Sequence, residues 1–251
     1  MTTVRIAVHV HSEWSYDARW SLPALAEAFA KRRYDAVLMS EHDRTFDEQR
    51  WREYRQACAD TSDDRILLVP GMEYEDADSV VHVPVWAEEM PFLGAARPTV
   101  ELLRDAHDAG AFCVLAHPWR RDAFARYDAE WTRYLGAVEI WNRQYDGIAP
   151  NPEGLGLARR LGLQPFVGLD FHTRRQFFPL ALSVEIEPPL SGGAVIRALQ
   201  EGRFRAEAMG MSALRFAQGV PAVPARAAEH ARRRLRGPVR SLERRLGRSR
   251  S

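Results

Sequence analysis

The chain is short of cysteine, of lysine and of long apolar runs, and each shortage argues against a class of protein. Its 251 residues include two cysteines, Cys58 and Cys113, with no CxxC spacing between them. A disulfide framework, a thiolate zinc site and a dithiol redox pair are therefore not indicated, and both residues are expected to be reduced packing residues in a helix and a buried strand. No segment approaches the roughly 18 consecutive apolar residues of a membrane span. Met1 to Ile6 lacks the basic, apolar, small-residue order of a signal peptide, so a cytoplasmic location is the default expectation. Neither GxGxxG nor GxxxxGK[ST] occurs, which removes support for a nucleotide-binding sheet. Lys31 is the sole lysine, a habit of composition from which nothing functional follows.

What is present is an ordinary globular balance, 46% hydrophobic and 27% charged, in a chain long enough for one large α/β barrel. The net charge of +1 hides a division. Residues 226–251 carry ten Arg and two Glu, a balance of +8, which leaves −7 for the rest. The body is acidic and the tail basic. Residues 1–210 are expected to form the body and 211–251 an Arg-rich appendage, where Gly237-Pro238 should interrupt any helix.

Apolar runs and helical patterns alternate along the body. Val4 to Val8 is a strand ending at His9-Val10-His11, and Ser21 caps a helix with Leu22, Leu25, Ala26 and Phe29 on one face. Ala36 to Met39, Ile66 to Val69, Ser79 to Val85, Ala111 to Ala116, Ala137 to Trp141, Pro165 to Leu169 and Leu182 to Ile186 read as strands. Segments 47–59, 99–108, 153–161 and 193–200 read as helices. This alternation predicts a parallel α/β architecture. Chemically capable residues follow nearly every strand, which favours a closed or distorted barrel with its chemistry on the carboxyl face.

Six of the eight histidines, His9, His11, His42, His82, His117 and His172, fall at or beside strand ends or in a strand. Glu73 and Asp170 occupy equivalent positions, and Asp17 lies just beyond the first strand. Imidazoles and carboxylates make a mixed nitrogen and oxygen donor set suited to zinc, manganese or iron, not an all-oxygen magnesium or calcium cage. His9 and His11 are two apart, as are Asp170 and His172, so on a regular strand each pair points to one face. His107 and His230 lie away from any strand end and are set aside. Trp14, Trp119 and Trp141 are read as packing, and Glu41 and Asp43 as residues that either orient His42 or are solvated in the loop.

In order, the motifs are His9-Val10-His11, Asp17, Glu41-His42-Asp43, Gly71-Met72-Glu73, His82, Ala116-His117-Pro118 and Gly168-Leu169-Asp170-Phe171-His172. The set resembles the PHP (polymerase and histidinol phosphatase) family from residue 4 to about residue 205. Three positions depart from that family's pattern: Glu41 stands for its usual Asp, Ala18 for a Gly and Leu169 for a Ser. The resemblance implies a distorted seven-stranded β/α barrel and two or three divalent transition-metal ions. By it, His9, His11, Glu73 and Asp170 would hold one ion, with Glu73 bridging to a second held by His82 and His117. Asp17, His42 and His172 would hold a third, and Glu73, Asp170 and His172 would be the residues closest to the chemistry.

Metals a few ångströms apart can activate a bridging water near neutral pH and clamp a phosphate ester. The expected activity is therefore hydrolysis of a small phosphomonoester or a phosphodiester. Arg143, Arg19 and Arg120 are the leading candidates to grip the phosphate, with Arg121, Arg174 and Arg175 behind them. Two alternatives are an amide or ester metallohydrolase, and a silent metal-binding scaffold whose tail binds a polyanion. Nucleic acid is not the favoured partner, because the tail lacks interleaved aromatics.

Overall fold

A computed structural model describes residues 1–247. The elements run β1 (Thr2–Val10), α1 (Leu22–Ala30), β2 (Ala36–Met39), β3 (Glu41–His42), α2 (Glu48–Thr61), β4 (Leu67–Val69), β5 (Met72–Glu75) and β6 (His82–Trp86). They continue through α3 (Thr99–Asp108), β7 (Phe112–Leu115), β8 (Leu135–Asn142), α4 (Gly154–Leu161), β9 (Gln164–Gly168), β10 (Leu180–Ile186), α5 (Gly192–Gln200) and β11 (Phe204–Ala208). The last are β12 (Met211–Ser212), α6 (Ala213–Gln218) and α7 (Ala222–Gly247).

Local chemistry accounts for the helix boundaries. Ser21 Oγ accepts the Ala24 amide at 3.4 Å and starts α1, whose Leu22, Leu25, Ala26 and Phe29 are buried. Asp47 does the same for α2 through the Arg50 amide at 2.8 Å, and α2 buries Trp51, Tyr54 and Cys58. Gly162, at φ +66°, takes the left-handed turn that ends α4. Burial of each such Leu or Phe contributes about 1.5–3 kcal/mol. Phe29, fully buried against Tyr34, Phe171 and Phe177, ties α1 to the segment after β9.

The strands form two six-stranded sheets, ordered β12-β11-β10-β1-β2-β4 and β3-β5-β6-β7-β8-β9. β2 runs through Ser40 into β3, and β4 runs through Pro70-Gly71 into β5, so the sheets share two lengths of chain. At that seam the Glu41 amide donates to Gly71 O at 3.2 Å. At the other, Val10 bridges Phe171, and the Leu169 amide donates to Val8 O at 2.9 Å.

The expected parallel arrangement is corrected at β6, which is antiparallel to both β5 and β7. Six residues join β5 to β6, too few for a crossover, so the chain can only turn back. The reversal places His82, the first residue of β6, at the end of the sheet where the other strands finish. β10 also runs antiparallel, pairing with β1 and β11. Strands β3, β5, β11 and β12 lie outside the sequence expectation; β3 and β5 are short and rich in charged residues, which masks their pattern.

After Gly210 the chain does not leave the body at once. β12 pairs with β11, and Phe216 of α6 packs 5.7 Å from Trp141. The expected break at Gly237-Pro238 is corrected as well: both lie within α7. Proline costs the helix one hydrogen bond there, and the Ala, Arg, Leu and Glu residues around it are good helix formers. Among the described residues no helix is long and apolar enough to cross a membrane. Cys58 and Cys113 are buried and unpaired, and burial pushes both thiols up.

Candidate metal centre

Nearly every strand of the second sheet, together with β1, delivers a polar side chain to one end of the molecule. β1 brings His9 and the residue after it, His11; β3 brings His42, β5 Glu73 and Glu75, β6 His82, and β8 Glu139 and Asn142. The turns after β7 and β9 add His117, Asp170 and His172. Three of these residues sit in the left-handed region that non-glycine residues seldom occupy: His9 at φ +61°, His117 at +25° and Asp170 at +48°. Such strain persists only where surrounding structure holds it, and it concentrates at functional sites.

β1 is not a regular strand at His9 and His11, so the two do not share a face by period-two alternation. Val8 pairs with Leu38 and Val10 with Met39, so His9 is the extra residue of a bulge. The bulge re-aims the side chain, and the two imidazoles still converge, with ring centres 5.2 Å apart.

Glu73 lies at the centre. Its carboxylate is within 3.0–3.5 Å of five imidazoles: His82 at 3.0 Å, His9 and His117 at 3.1 Å, His42 at 3.3 Å and His11 at 3.5 Å. Asp170 forms a second focus, 3.3 Å from His172, 3.7 Å from His11, 3.8 Å from His117 and 4.0 Å from His9. Asp17 Oδ2 closes the cluster from the rim, 3.1 Å from His172 and 3.4 Å from His42. All nine residues singled out as metal ligands thus meet in one place. All but Asp17 are buried or nearly so, and the Asp17 side chain is 37% exposed.

This donor set fits divalent cations. Groups of three that could each hold an ion are His9, Glu73 and His117; His9, His11 and Asp170; His11, His42 and His172; and His42, Glu75 and His82. The Nε2 atoms of His9, His11 and His172 are buried without a hydrogen-bond partner, pointing at the carboxylates. Charge tells the same story. Burial would lower the pKa of His9, but Glu73, Glu139 and Asp170 outweigh it and raise it well above normal. His42, likewise buried but held by Asp17 and Glu75, is pushed up to about 11, while Glu75 is held down to about 2 despite its burial, chiefly by His42. Buried carboxylates that hold protons on imidazoles this strongly would hold metal cations in their place.

Several residues here were not singled out from sequence. Glu75, two residues beyond Glu73 on β5, lies 2.8 Å from His42 Nδ1 and 3.0 Å from Arg44 Nε. Glu139 accepts the His9 ring at 2.8 Å. Glu41 and Asp43 do not touch the His42 ring. Glu41 takes the Ser12 and Ser15 hydroxyls at 2.6 Å, and Ser15 Oγ in turn lies 3.3 Å from His11 Nδ1 and accepts the His42 amide. Asp43 accepts the Ala96 and Glu75 amides. A signal for both acids existed: Glu75 has the same parity as Glu73, and Glu139 is a lone charge in an apolar strand.

The arginines separate. Arg120 reaches the cluster, with Nη1 3.0 Å from His82 Nε2 and 2.7 Å from Ser79 O, and Nε 2.9 Å from the Tyr145 hydroxyl. Arg143 instead packs over Phe178 and donates to Arg175 O at 3.1 Å, and Arg19 is exposed with no side-chain partner among the described residues. Arg121, Arg174 and Arg175 are exposed too. Tyr145 and Tyr16, both partly exposed, cover His117 and His42 with ring centres 4.8 and 4.9 Å away.

No protein-family model matches the chain, and no curated protein matches its sequence. Solved structures of similar fold include proteins described as predicted PHP-like metal-dependent phosphoesterases. A two-domain protein of Bacteroides vulgatus containing a predicted PHP-like metal-dependent phosphoesterase superposes with a TM-score of 0.61 at 20% identity, over 82% of this chain and 65% of that one. The chain thus spans just under two thirds of that relative's length. PsfC of Pseudomonas syringae gives a TM-score of 0.66 at 16% identity, over 92% of this chain and 99% of that one. The lesion-specific endonuclease PfuEndoQ of Pyrococcus furiosus gives 0.54 at 13% identity, over 80% of this chain and 56% of that one. At these identities the likeness is one of fold.

Proposed function

We propose that this chain is a metal-dependent phosphoesterase that hydrolyses a small phosphomonoester or a phosphodiester. The observation that carries the reading is Glu73, a buried carboxylate in reach of five imidazoles. The similar structures support it, since they include a protein with a predicted PHP-like metal-dependent phosphoesterase and a lesion-specific endonuclease. With the sheets joined at both seams, we read the body as a distorted seven-stranded barrel.

His9, His11, Glu73 and Asp170 would hold one ion, Glu73 with His82 and His117 a second, and Asp17, His42 and His172 a third; zinc, manganese and iron suit these donors. When bound, such ions supply an activated water and neutralise charge on the ester oxygens. The protein does the rest. Glu73 and Asp170 fix the spacing of the two inner sites, His172 and Asp17 line the mouth, and Arg120 grips the phosphate. Tyr16 and Tyr145 wall the approach. Residues 1–210 supply every one of these groups, leaving 211–251 as an appendage to the chemistry.

A second reading, hydrolysis of an amide or ester, is favoured by the likeness to an amidohydrolase of Chromobacterium violaceum, with a TM-score of 0.52 at 14% identity. One experiment separates the two. Metal content would be measured on the purified protein, and p-nitrophenyl phosphate, bis-p-nitrophenyl phosphate and p-nitrophenyl acetate assayed before and after chelation, with His9→Ala as control. Two or three ions and chelator-sensitive release from a phosphate ester support the proposal. Turnover of the acetate alone supports the second reading, and a protein that binds no metal sinks both.

A further inference from the structure

Glu139 is almost fully buried, has no arginine or lysine partner among the described residues, and lies just outside the donor cluster. Its Oε1 lies 2.8 Å from His9 Nδ1, and its Oε2 accepts the His117 amide and the Asn142 side-chain amide, each at 2.8 Å. A carboxylate oxygen accepts, so His9 presents Nδ1–H to it, and Nε2, 3.1 Å from Glu73, is the ring atom left to bind a metal ion in place of a proton. The other arm of the carboxylate holds His117. His9 and His117 are two of the three left-handed residues in the site, and they come from different strands.

Room for this bracket is made in the chain itself. Gly168 ends β9 directly behind it, and a Cβ there would run into the Glu139 carboxylate and lie 3.2 Å from His9 Cβ. Glycine at 168 is thus required by close approach.

We infer that Glu139 is a positioning residue that fixes the His9 tautomer and clamps the strained His9 and His117 backbones, so that His9 presents Nε2 to the inner ion it would share with His11, Glu73 and Asp170. The inference rests on the metal reading of the site. Carboxylates that orient metal-bound histidines in this way are worth roughly 10–100-fold in metal affinity.

The test is metal titration of the chelated full-length protein with Zn²⁺ and with Co²⁺, followed by calorimetry and by the Co²⁺ absorption spectrum. Glu139→Gln and Glu139→Ala should weaken one ion by about 10–100-fold, with an altered Co²⁺ spectrum, and Glu139→Asp should recover part of the loss. Glu75→Gln, which alters a carboxylate beside His42 and His82, should weaken a different ion. Gly168→Ala provides an independent arm: by displacing the carboxylate it should reproduce the Glu139→Gln titration, and the double variant should be no worse than either alone.

Unaltered titrations in folded Glu139 variants would overturn the inference. So would full additivity between the Gly168 and Glu139 changes, or equal loss of every ion in all variants. Failure of the wild-type protein to bind either metal would instead remove the metal reading beneath it.

Discussion

The inner and outer parts of the donor cluster are built on different terms. His9, Glu73, His117 and Asp170 sit on strands or the turns that end them, are almost wholly buried, and three of the four have left-handed backbone. Asp17 and His172 lie nearer solvent, and the Asp17 side chain, 37% exposed on a loop, reaches both His172 and the buried His42. The inner group is held by the sheets throughout, whereas the outer one is completed by Asp17 from the loop between β1 and α1. Preorganised donors in a dry setting bind tightly and act strongly, whereas rim donors are screened and adaptable. The inner ions should therefore be retained on purification and the outer ion exchanged readily.

The severest way to break this comparison is Glu73→Gln. It should lower turnover about a thousandfold or more and remove more than one ion, because the same carboxylate touches five imidazoles. Elemental analysis and phosphate release would check it, and a loss of less than one ion would show the inner group to be divisible. Asp17→Asn should be milder, weakening a single ion and costing about 10–100-fold in rate at limiting metal, with recovery at high metal. If excess metal fails to rescue it, the outer group is not the adaptable one.

Removal of all metal should cost the fold too, since ligands that bind only the native state stabilise it. At a hundredfold excess over the dissociation constant each independent site adds about 2.7 kcal/mol, so chelation should lower the midpoint of thermal unfolding markedly. Arg120→Ala should act on binding instead. Loss of one charged hydrogen-bonding group costs about 1.5–3 kcal/mol, which appears as a rise in KM of about tenfold or more with metal content unchanged. The same change at Arg143, which packs on Phe178, should leave KM within about twofold.

How much of this was legible follows from where each residue's signal resides. His9, His11, His117, Asp170 and His172 flank apolar runs, so the strand pattern alone sets them at one end of a sheet, whereas His82 falls inside an expected strand. The reversal of β6 was not legible from periodicity, which has no direction; the six-residue link from β5 carried that information. Glu75 and Glu139 were hidden because alternation was read for apolar residues only. The separation of Arg120 from Arg143 was beyond sequence altogether: both follow strands, and their difference depends on Tyr145 and Phe178 lying beside them.

The smallest expected effect sharpens the comparison from outside the donor set. Asp146 is half-buried in the turn that carries Tyr145 and accepts the Asn142 amide at 2.7 Å, and loss of solvent around it raises its carboxyl to about 7. Its folded pKa lies above the ordinary value of 3.8, so the stability linked to its proton is fully present below about pH 4 and is lost as pH rises to about 7. Above that, the ionised group is carried at a cost on the order of a few kcal/mol. Asp146→Asn removes the titration while keeping an acceptor for the Asn142 amide. Denaturant midpoints measured from pH 5 to pH 8 should fall more steeply for the wild type than for the variant, and the variant should be the more stable at pH 8. Parallel curves would mean that the loop relaxes to solvate Asp146, and that the cover over His117 is as adaptable as the rim around Asp17.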